Sequence, residues 1–212
     1  MFNRAEKSQL SGQRNGSKVT GIGIGQAFHS AGSNGFDGLV RITPDGIVHI
    51  HSGVGNLGTY SYASTSRVAA EVLNADWEQC VIHHGDSSKG MGFTLGQFGS
   101  NTSFPTTRAV FAGAMDAKAK LQEIAAMDLG GSAEDYELKG NQVVSTSDPS
   151  KAITFAAAAE RAIALGGKFD GHEAAEDLNP VTAGSVAMLA GTGLIGAAKD
   201  TIPREGVVPA LA

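Results

Sequence analysis

Residues 38–53 read GLVRITPDGIVHIHSG, and the fold turns on how they are read. Apolar and polar residues alternate on both sides of Pro44-Asp45-Gly46, the pattern of two antiparallel strands joined by a tight turn. The run ends on Gly53, the first residue of Gly53-Val54-Gly55-Asn56-Leu57-Gly58, which fits the dinucleotide-binding pattern G-x-G-x-x-G. A Rossmann unit would set a strand before these glycines, a helix after them, and a ribose-binding acid near the place of Asp86. Here, however, the strand is the second arm of a hairpin, and Asp86 lies farther from the glycines than the fingerprint expects. NAD binding is therefore the minor reading, and an α+β fold the major one.

Past Gly58, the hydroxyl-rich TYSYAST leads into a helix predicted to start near residue 60, with Val68, Ala69, Val72 and Leu73 on one stripe. QCVIHHGD reads as another strand, with Cys80 buried in it. The Gly-rich loop GMGFTLGQFGSNTSF then meets Pro105, suited to the first turn of a helix whose stripe is Val110, Ala114, Ala117, Leu121 and Ile124. After Gly130-Gly131 the plan repeats more weakly, with YELKGNQVVS as a hairpin and TFAAAAERAIAL as a helix capped by Thr154. From Gly166 the chain reads as Gly/Ala-rich and irregular, and GVVPALA at its end resembles the opening of a strand, so a piece of something larger is expected. Three segments follow: a polar stretch 1–16, an α+β unit 17–128, and a second, incomplete α+β unit 129–212. Hairpin-plus-helix units should form mixed sheets packed on helices in two layers.

Of the 212 residues, 42% are apolar and 17% charged, a composition that folds rather than stays disordered. A net charge of -5, without a basic run, offers nucleic acid no phosphate-tracking surface. The polar N-terminus lacks the apolar core of a signal peptide, and the apolar stretch 186–198 is Gly-interrupted and too short to span a bilayer. A cytoplasmic protein is expected, with no membrane partner. The single cysteine excludes an internal disulfide and any Cys-rich iron-sulfur or zinc site within the chain.

A loop that delivers backbone N–H groups to a helix N-terminus is an anion site whatever the fold. Two places qualify: the glycines ahead of residue 60, and Gly99-Ser100-Asn101-Thr102-Ser103, which adds hydroxyl donors ahead of the long helix. Each hydrogen bond to a charged phosphate oxygen is worth about 1.5–3 kcal/mol, and a helix terminus adds roughly 0.3–1 kcal/mol.

Taken together, GIGIGQAFHSAG, the hairpin, SGVGNLGTYSYASTSRVAAEVL, HHGD and GSNTSFPTTRAVFAGAMDAKAKL resemble the second molybdenum-cofactor-binding domain of the xanthine dehydrogenase and aldehyde oxidase large subunit. The resemblance covers residues 17–128 and weakens toward the end. Family members carry T-G-x-x-E-x-G-Q-G where this chain has Ser52 to Tyr60. Gly53 and Gly58 match, whereas Asn56 stands for Glu, Thr59 for Gln and Tyr60 for Gly. The family's G-S-x-[ST]-[ST] is kept as Gly99, Ser100, Thr102 and Ser103.

The resemblance implies a cofactor contact at Gly58, Thr59, Tyr60, Gly99, Ser100, Thr102 and Ser103, with Gly99 near the metal and the hydroxyls on cofactor phosphate. It implies molybdopterin in a dinucleotide form, with molybdenum held by the pterin and no metal-ligating side chain. Iron-sulfur clusters and FAD would lie on partner subunits, and the reaction would be oxidative hydroxylation of an aldehyde or N-heterocycle. The family's glutamate base in a G-E-P segment and its G-G-x-F-G loop are not in this sequence. No catalytic residue is therefore assigned, and activity is expected only when missing segments of the molybdenum subunit complete the site.

Other candidates are weaker. His49 and His51 share a strand face but lack a third ligand, and His83 and His84 point to opposite faces. Arg67, Glu160, Arg161 and the cluster Glu173, Glu176, Asp177 read as solvated charge. The function classes left open are a cofactor-binding part of a molybdenum hydroxylase and a non-catalytic structural or interaction fragment of such a complex.

Overall fold

The structure is a computed structural model that describes residues 9, 11–23, 25, 27 and 35–201. Most of GIGIGQAFHSAG, residues 1–8 and 10 of the polar segment 1–16, and GVVPALA lie outside the described residues. The chain divides into two compact units, residues 1–30 and 31–212. In the first, β1 (Arg14–Asn15) and β2 (Lys18–Val19) form a short antiparallel ribbon, exposed throughout.

The second unit is built on β3 (Asp37–Ile42) and β4 (Val48–Ser52), which pair antiparallel with Leu39 opposite His51 and Ile42 opposite Val48. The turn between them is closed by the Gly46 amide donating to the Thr43 carbonyl at 2.8 Å, with Gly46 at φ +81°. β4 then runs through α1 (Ser61–Leu73) to β5 (Cys80–His84), which lies parallel to β4. The strand ahead of the glycines is thus both a hairpin arm and the first strand of a parallel crossover, so the hairpin alone does not exclude a βαβ unit. It is the rest of the sheet that departs from a doubly wound fold. β3 is flanked on its other side by antiparallel β9 (Leu194–Lys199), giving the mixed order β5-β4-β3-β9.

α2 (Thr107–Leu129) crosses the sheet, and its predicted stripe of Val110, Ala114, Ala117, Leu121 and Ile124 is buried against Val40, Ile42, Val48 and Ile50. It lies unusually close, because three glycines meet there. A Cβ on Gly38 would fall 1.9 Å from the Ala109 carbonyl oxygen, and one on Gly196 would fall 2.5 Å from that of Gly113. Backbone touches backbone along this seam, which fixes the height and angle of α2 over the sheet.

A second sheet, β6 (Tyr136–Leu138), β7 (Gln142–Ser145) and β8 (Ala152–Thr154), is an antiparallel meander in the expected place. α3 (Phe155–Leu165) follows, and the Thr154 hydroxyl oxygen accepts from the Ala157 amide at 3.2 Å, as the cap predicts. The stretch from Gly166 departs from expectation. It contains α4 (Pro180–Leu189), started by Asn179 and Pro180, and then β9. α4 carries apolar residues all round, and β9 is a continuous apolar run up to Lys199, buried over most of its length. Neither shows the periodicity by which a half-buried element is recognised. On the sheet face away from α2, Val186 and Leu189 of α4 pack with Leu39 and Ile195. The architecture is α+β, and among the described residues no helix is long and apolar enough to cross a membrane.

Candidate functional site

The end of β4 and the loop after β5 are drawn together by backbone contacts. Gly92 donates to the His51 carbonyl at 3.2 Å and bridges Ser52, and the Asp37 amide donates to the Phe93 carbonyl at 3.1 Å. Gly53 and Gly92 permit this, since a Cβ on Gly53 would sit 2.8 Å from the Gly92 oxygen and one on Gly92 2.3 Å from the Asp37 oxygen. The loop is also tied to α4, with the Met91 amide donating to Ser185 Oγ at 3.0 Å and the Phe93 amide to Thr182 Oγ1 at 2.9 Å.

This anchoring brings two helix starts to one cavity of about 500 Å³. From the α1 side it is lined by Thr59, Ser61 and Ser64, and from the α2 side by Gly99, Ser100, Asn101, Thr102 and Ser103, with Gln97 between them. Leu57 and Phe98, both exposed, form an apolar rim. Among the described residues, no charged side chain lines it. An anion placed there would be met by hydroxyls, amides and the positive ends of two helix dipoles rather than by a cation.

Five of the seven residues predicted at the site, Thr59, Gly99, Ser100, Thr102 and Ser103, therefore share one cavity. Gly58 and Tyr60 are not among its lining residues. Asn56, in place of the family's Glu, acts as a turn acceptor, with Oδ1 taking the Gly58 amide at 2.8 Å and the Tyr60 amide at 3.4 Å. Tyr60, in place of Gly, caps α1 in the left-handed region at φ +52° with its side chain exposed. That conformation costs a non-glycine residue about 1–2 kcal/mol. Thr59 Oγ1 donates to Ser61 Oγ at 3.1 Å, and Gln97 Nε2 reaches the same oxygen at 3.5 Å. Pro105 lies inside a five-residue π-helical turn, Thr102–Thr106, that precedes α2, rather than in the first turn of an α-helix. Such turns concentrate at functional sites.

Ser61, Ser64 and Gln97 were not singled out from the sequence, and Asn101 was named only as part of the loop Gly99 to Ser103. The two serines belong to the hydroxyl-rich run at the start of α1, which was a usable signal, whereas Gln97 and Asn101 lie in the marked Gly-rich loop without a side-chain signal of their own. Asn101 is 1% exposed, and neither Oδ1 nor Nδ2 has a hydrogen-bond partner.

The histidines form a separate cluster on the sheet. His49 Nδ1 and His83 Nε2 are 2.9 Å apart, and the His51 and His83 rings stack at 4.6 Å. Stacked rings do not converge on one ion, and among the described residues no group of three or more His, Cys, Asp or Glu is placed to hold a metal. His84 faces the other way and stacks on Tyr62 at 3.9 Å. Burial, aided by Arg41 and His83, lowers His49 to about 4. Burial, aided by His83 and Arg41, lowers His51 to about 3. The unfolded chain takes up these protons as pH falls through 6.5, while the folded chain refuses them until near 4 and 3. Stability is thus full above pH 6.5 and lost on acidification below it, by about 1.4 kcal/mol per pH unit for each proton. Urea midpoints between pH 7 and 4 should fall accordingly, and His51→Gln should flatten the slope; parallel profiles would contradict the assignment. Cys80 is half-buried at the head of β5, where burial and then Asp76 push its thiol up to about 11.

The chain is similar to known proteins in sequence and in fold. The sequence profile described as the molybdopterin cofactor-binding domain matches residues 2–191. The aldehyde oxidoreductase molybdenum-binding subunit PaoC of Escherichia coli, in strain O157:H7 and in strain K12, is 30% identical over 147 residues, which is 67% of this chain and 19% of that protein. The fold is shared with quinoline 2-oxidoreductase from Pseudomonas putida 86 (TM-score 0.57, 20% identity, 79% of this chain and 19% of that one). It is shared also with CO dehydrogenase from Oligotropha carboxidovorans (TM-score 0.57, 21% identity, 78% and 18%). The chain thus spans about a fifth of the length of these proteins. With both glycine loops inside the matched span and one cavity between them, the chain belongs to the molybdopterin cofactor-binding domain family.

Proposed function

We propose that the chain is the cofactor-binding part of the molybdenum subunit of a hydroxylase, and that the cavity at the starts of α1 and α2 holds the phosphate end of a molybdopterin dinucleotide. The observation that carries this reading is that two segments far apart in sequence put six hydroxyls, those of Thr59, Ser61, Ser64, Ser100, Thr102 and Ser103, around one cavity that, among the described residues, has no charged side chain in its lining. The residues fit such a group: hydroxyls can all turn their protons toward phosphate oxygens, and the helix starts supply the field. Ser100, Thr102 and Ser103 would bind phosphate, Gly99 would let the chain approach closely, and Thr59 would face the pterin. Gly58 and Tyr60 would set the loop that carries Thr59.

Molybdenum carried by the pterin's own sulfur atoms would supply the oxidising centre for hydroxylation of an aldehyde or N-heterocycle. The remaining segments of the subunit would complete residues 17–128 and 129–212, and an iron-sulfur subunit and an FAD subunit would take the electrons in the cytoplasm. A purely structural role is the second reading, favoured by the departures at Asn56, Thr59 and Tyr60. Replacing Ser100, Thr102 and Ser103 together by Ala, in the chain expressed with the rest of its subunit, decides between them. Pterin content per protein, read by fluorescence after acid release, should fall by about ten-fold or more. Unchanged content rejects the proposal.

A further inference from the structure

Two asparagines stand in these loops, and they behave differently. Asn56 spends its side-chain oxygen on two backbone amides, the ordinary use of Asn in a turn. The Asn101 side chain is bonded to nothing, although the residue lines the cavity and is 1% exposed. Its main chain is held on both sides: the Asn101 amide donates to the Phe98 carbonyl at 3.0 Å, and its carbonyl accepts from the Thr106 amide at 3.4 Å and Thr106 Oγ1 at 3.1 Å. The main chain is thus fixed, and the carboxamide as placed meets no protein partner. The preceding residue, Ser100, is held at φ +59°, a strained conformation for a side-chain-bearing residue. An unpaired buried amide costs stability, and such costs persist where a ligand repays them.

Phosphate is the wrong partner for this group. Its oxygens only accept, so it would engage Nδ2 and leave Oδ1 facing negative charge. A carboxamide matches instead an edge on which a donor and an acceptor stand side by side, and Asn reads such edges on nucleobases with two parallel hydrogen bonds. Resting on the reading that the cavity takes a phosphate-bearing cofactor, we infer that Asn101 is a specificity-determining residue that recognises the donor–acceptor edge of a nitrogen heterocycle beside the phosphate. Pterins and nucleobases both carry that edge.

The test titrates the pterin-free chain, expressed with the rest of its subunit, by calorimetry with inorganic pyrophosphate, cytidine diphosphate and hydroxymethylpterin diphosphate, which share the diphosphate and differ in the ring. At least one of the ring-bearing ligands should bind about ten-fold tighter than pyrophosphate. The ring that gives the gain identifies the source. Asn101→Leu should erase the gain, leave pyrophosphate affinity unchanged, and melt no lower than the parent, because it removes an unpaired polar group. Asn101→Asp, which loses the donor, should erase the gain as well. Equal affinity for all three ligands, a gain that survives in both variants, or a lowered melting temperature in Asn101→Leu overturns the assignment while leaving the phosphate site standing. A chain that binds none of the three overturns both.

Discussion

Gly38→Ala should destabilise the protein by about 3 kcal/mol or more, at or beyond the top of the usual range for overpacking. The added methyl would lie 1.9 Å from the Ala109 oxygen, 2.7 Å from its carbonyl carbon and 2.9 Å from the Gly113 nitrogen. All three are backbone atoms of α2, so no rotamer change relieves the clash, and the helix must lift from the sheet. Lifting it opens the contacts of Val110, Ala114 and Ala117 with β3 and β9 and moves the hydroxyl loop at its start. Gly184→Ala in α4 is the control, because nothing lies within 4 Å of a Cβ there. That variant should be neutral or gain the roughly 0.5–1 kcal/mol of alanine's helix preference. Urea unfolding of both distinguishes them; a Gly38→Ala midpoint matching the control would mean the seam is looser than described.

Asp200→Ala should cost about 3–5 kcal/mol, the usual penalty for removing one member of a buried ion pair. Asp200 holds Arg108 Nε at 3.1 Å, with the two side chains 3% and 16% exposed. Arg108 stands in the first turn of α2, where the helix dipole already opposes a cation, and its guanidinium lies over Phe104 at 5.3 Å from the ring centroid. Asp200 neutralises this charge from the residue that follows β9, and its amide donates to the Phe36 carbonyl at 2.8 Å. Asp200→Asn keeps an acceptor and should lose less, while an Arg108→Leu/Asp200→Leu double variant should recover most of the loss. Thermal or urea unfolding reads the series, and a loss below about 1 kcal/mol for Asp200→Ala would show the pair to be screened like a surface bridge.

Local chemistry was legible in the sequence. The alternation around Pro44-Asp45-Gly46 carries the register of β3 and β4, the stripe from Val110 to Ile124 carries the buried face of α2, and Thr154 marks the start of α3, each within a few turns of chain. The candidate loops at residues 53–60 and 99–103 were visible because glycines and hydroxyls mark them. Their meeting was not, since it rests on Gly53, Gly92 and Asp37 touching across the fold, and no short window holds that contact. Asn101 escaped for the same reason: its partnerless amide is a property of its surroundings, not of its neighbours in sequence. β9 escaped because a strand covered on both faces loses the alternation that identifies strands.

The place of β9 in the sheet has a kinetic consequence. β3 and β4 close as a hairpin within a few residues of each other, but the other edge of β3 waits for a strand about 150 residues later, pairing Leu39 with Ala197 and Ile42 with Leu194. At ribosomal rates of about 5–20 residues per second, that wait is on the order of ten to thirty seconds. Throughout it, β3 exposes an unpaired row of backbone donors and acceptors, the template from which strand-to-strand aggregation starts. The nascent chain is therefore most in need of a holding chaperone between the synthesis of β4 and the arrival of β9.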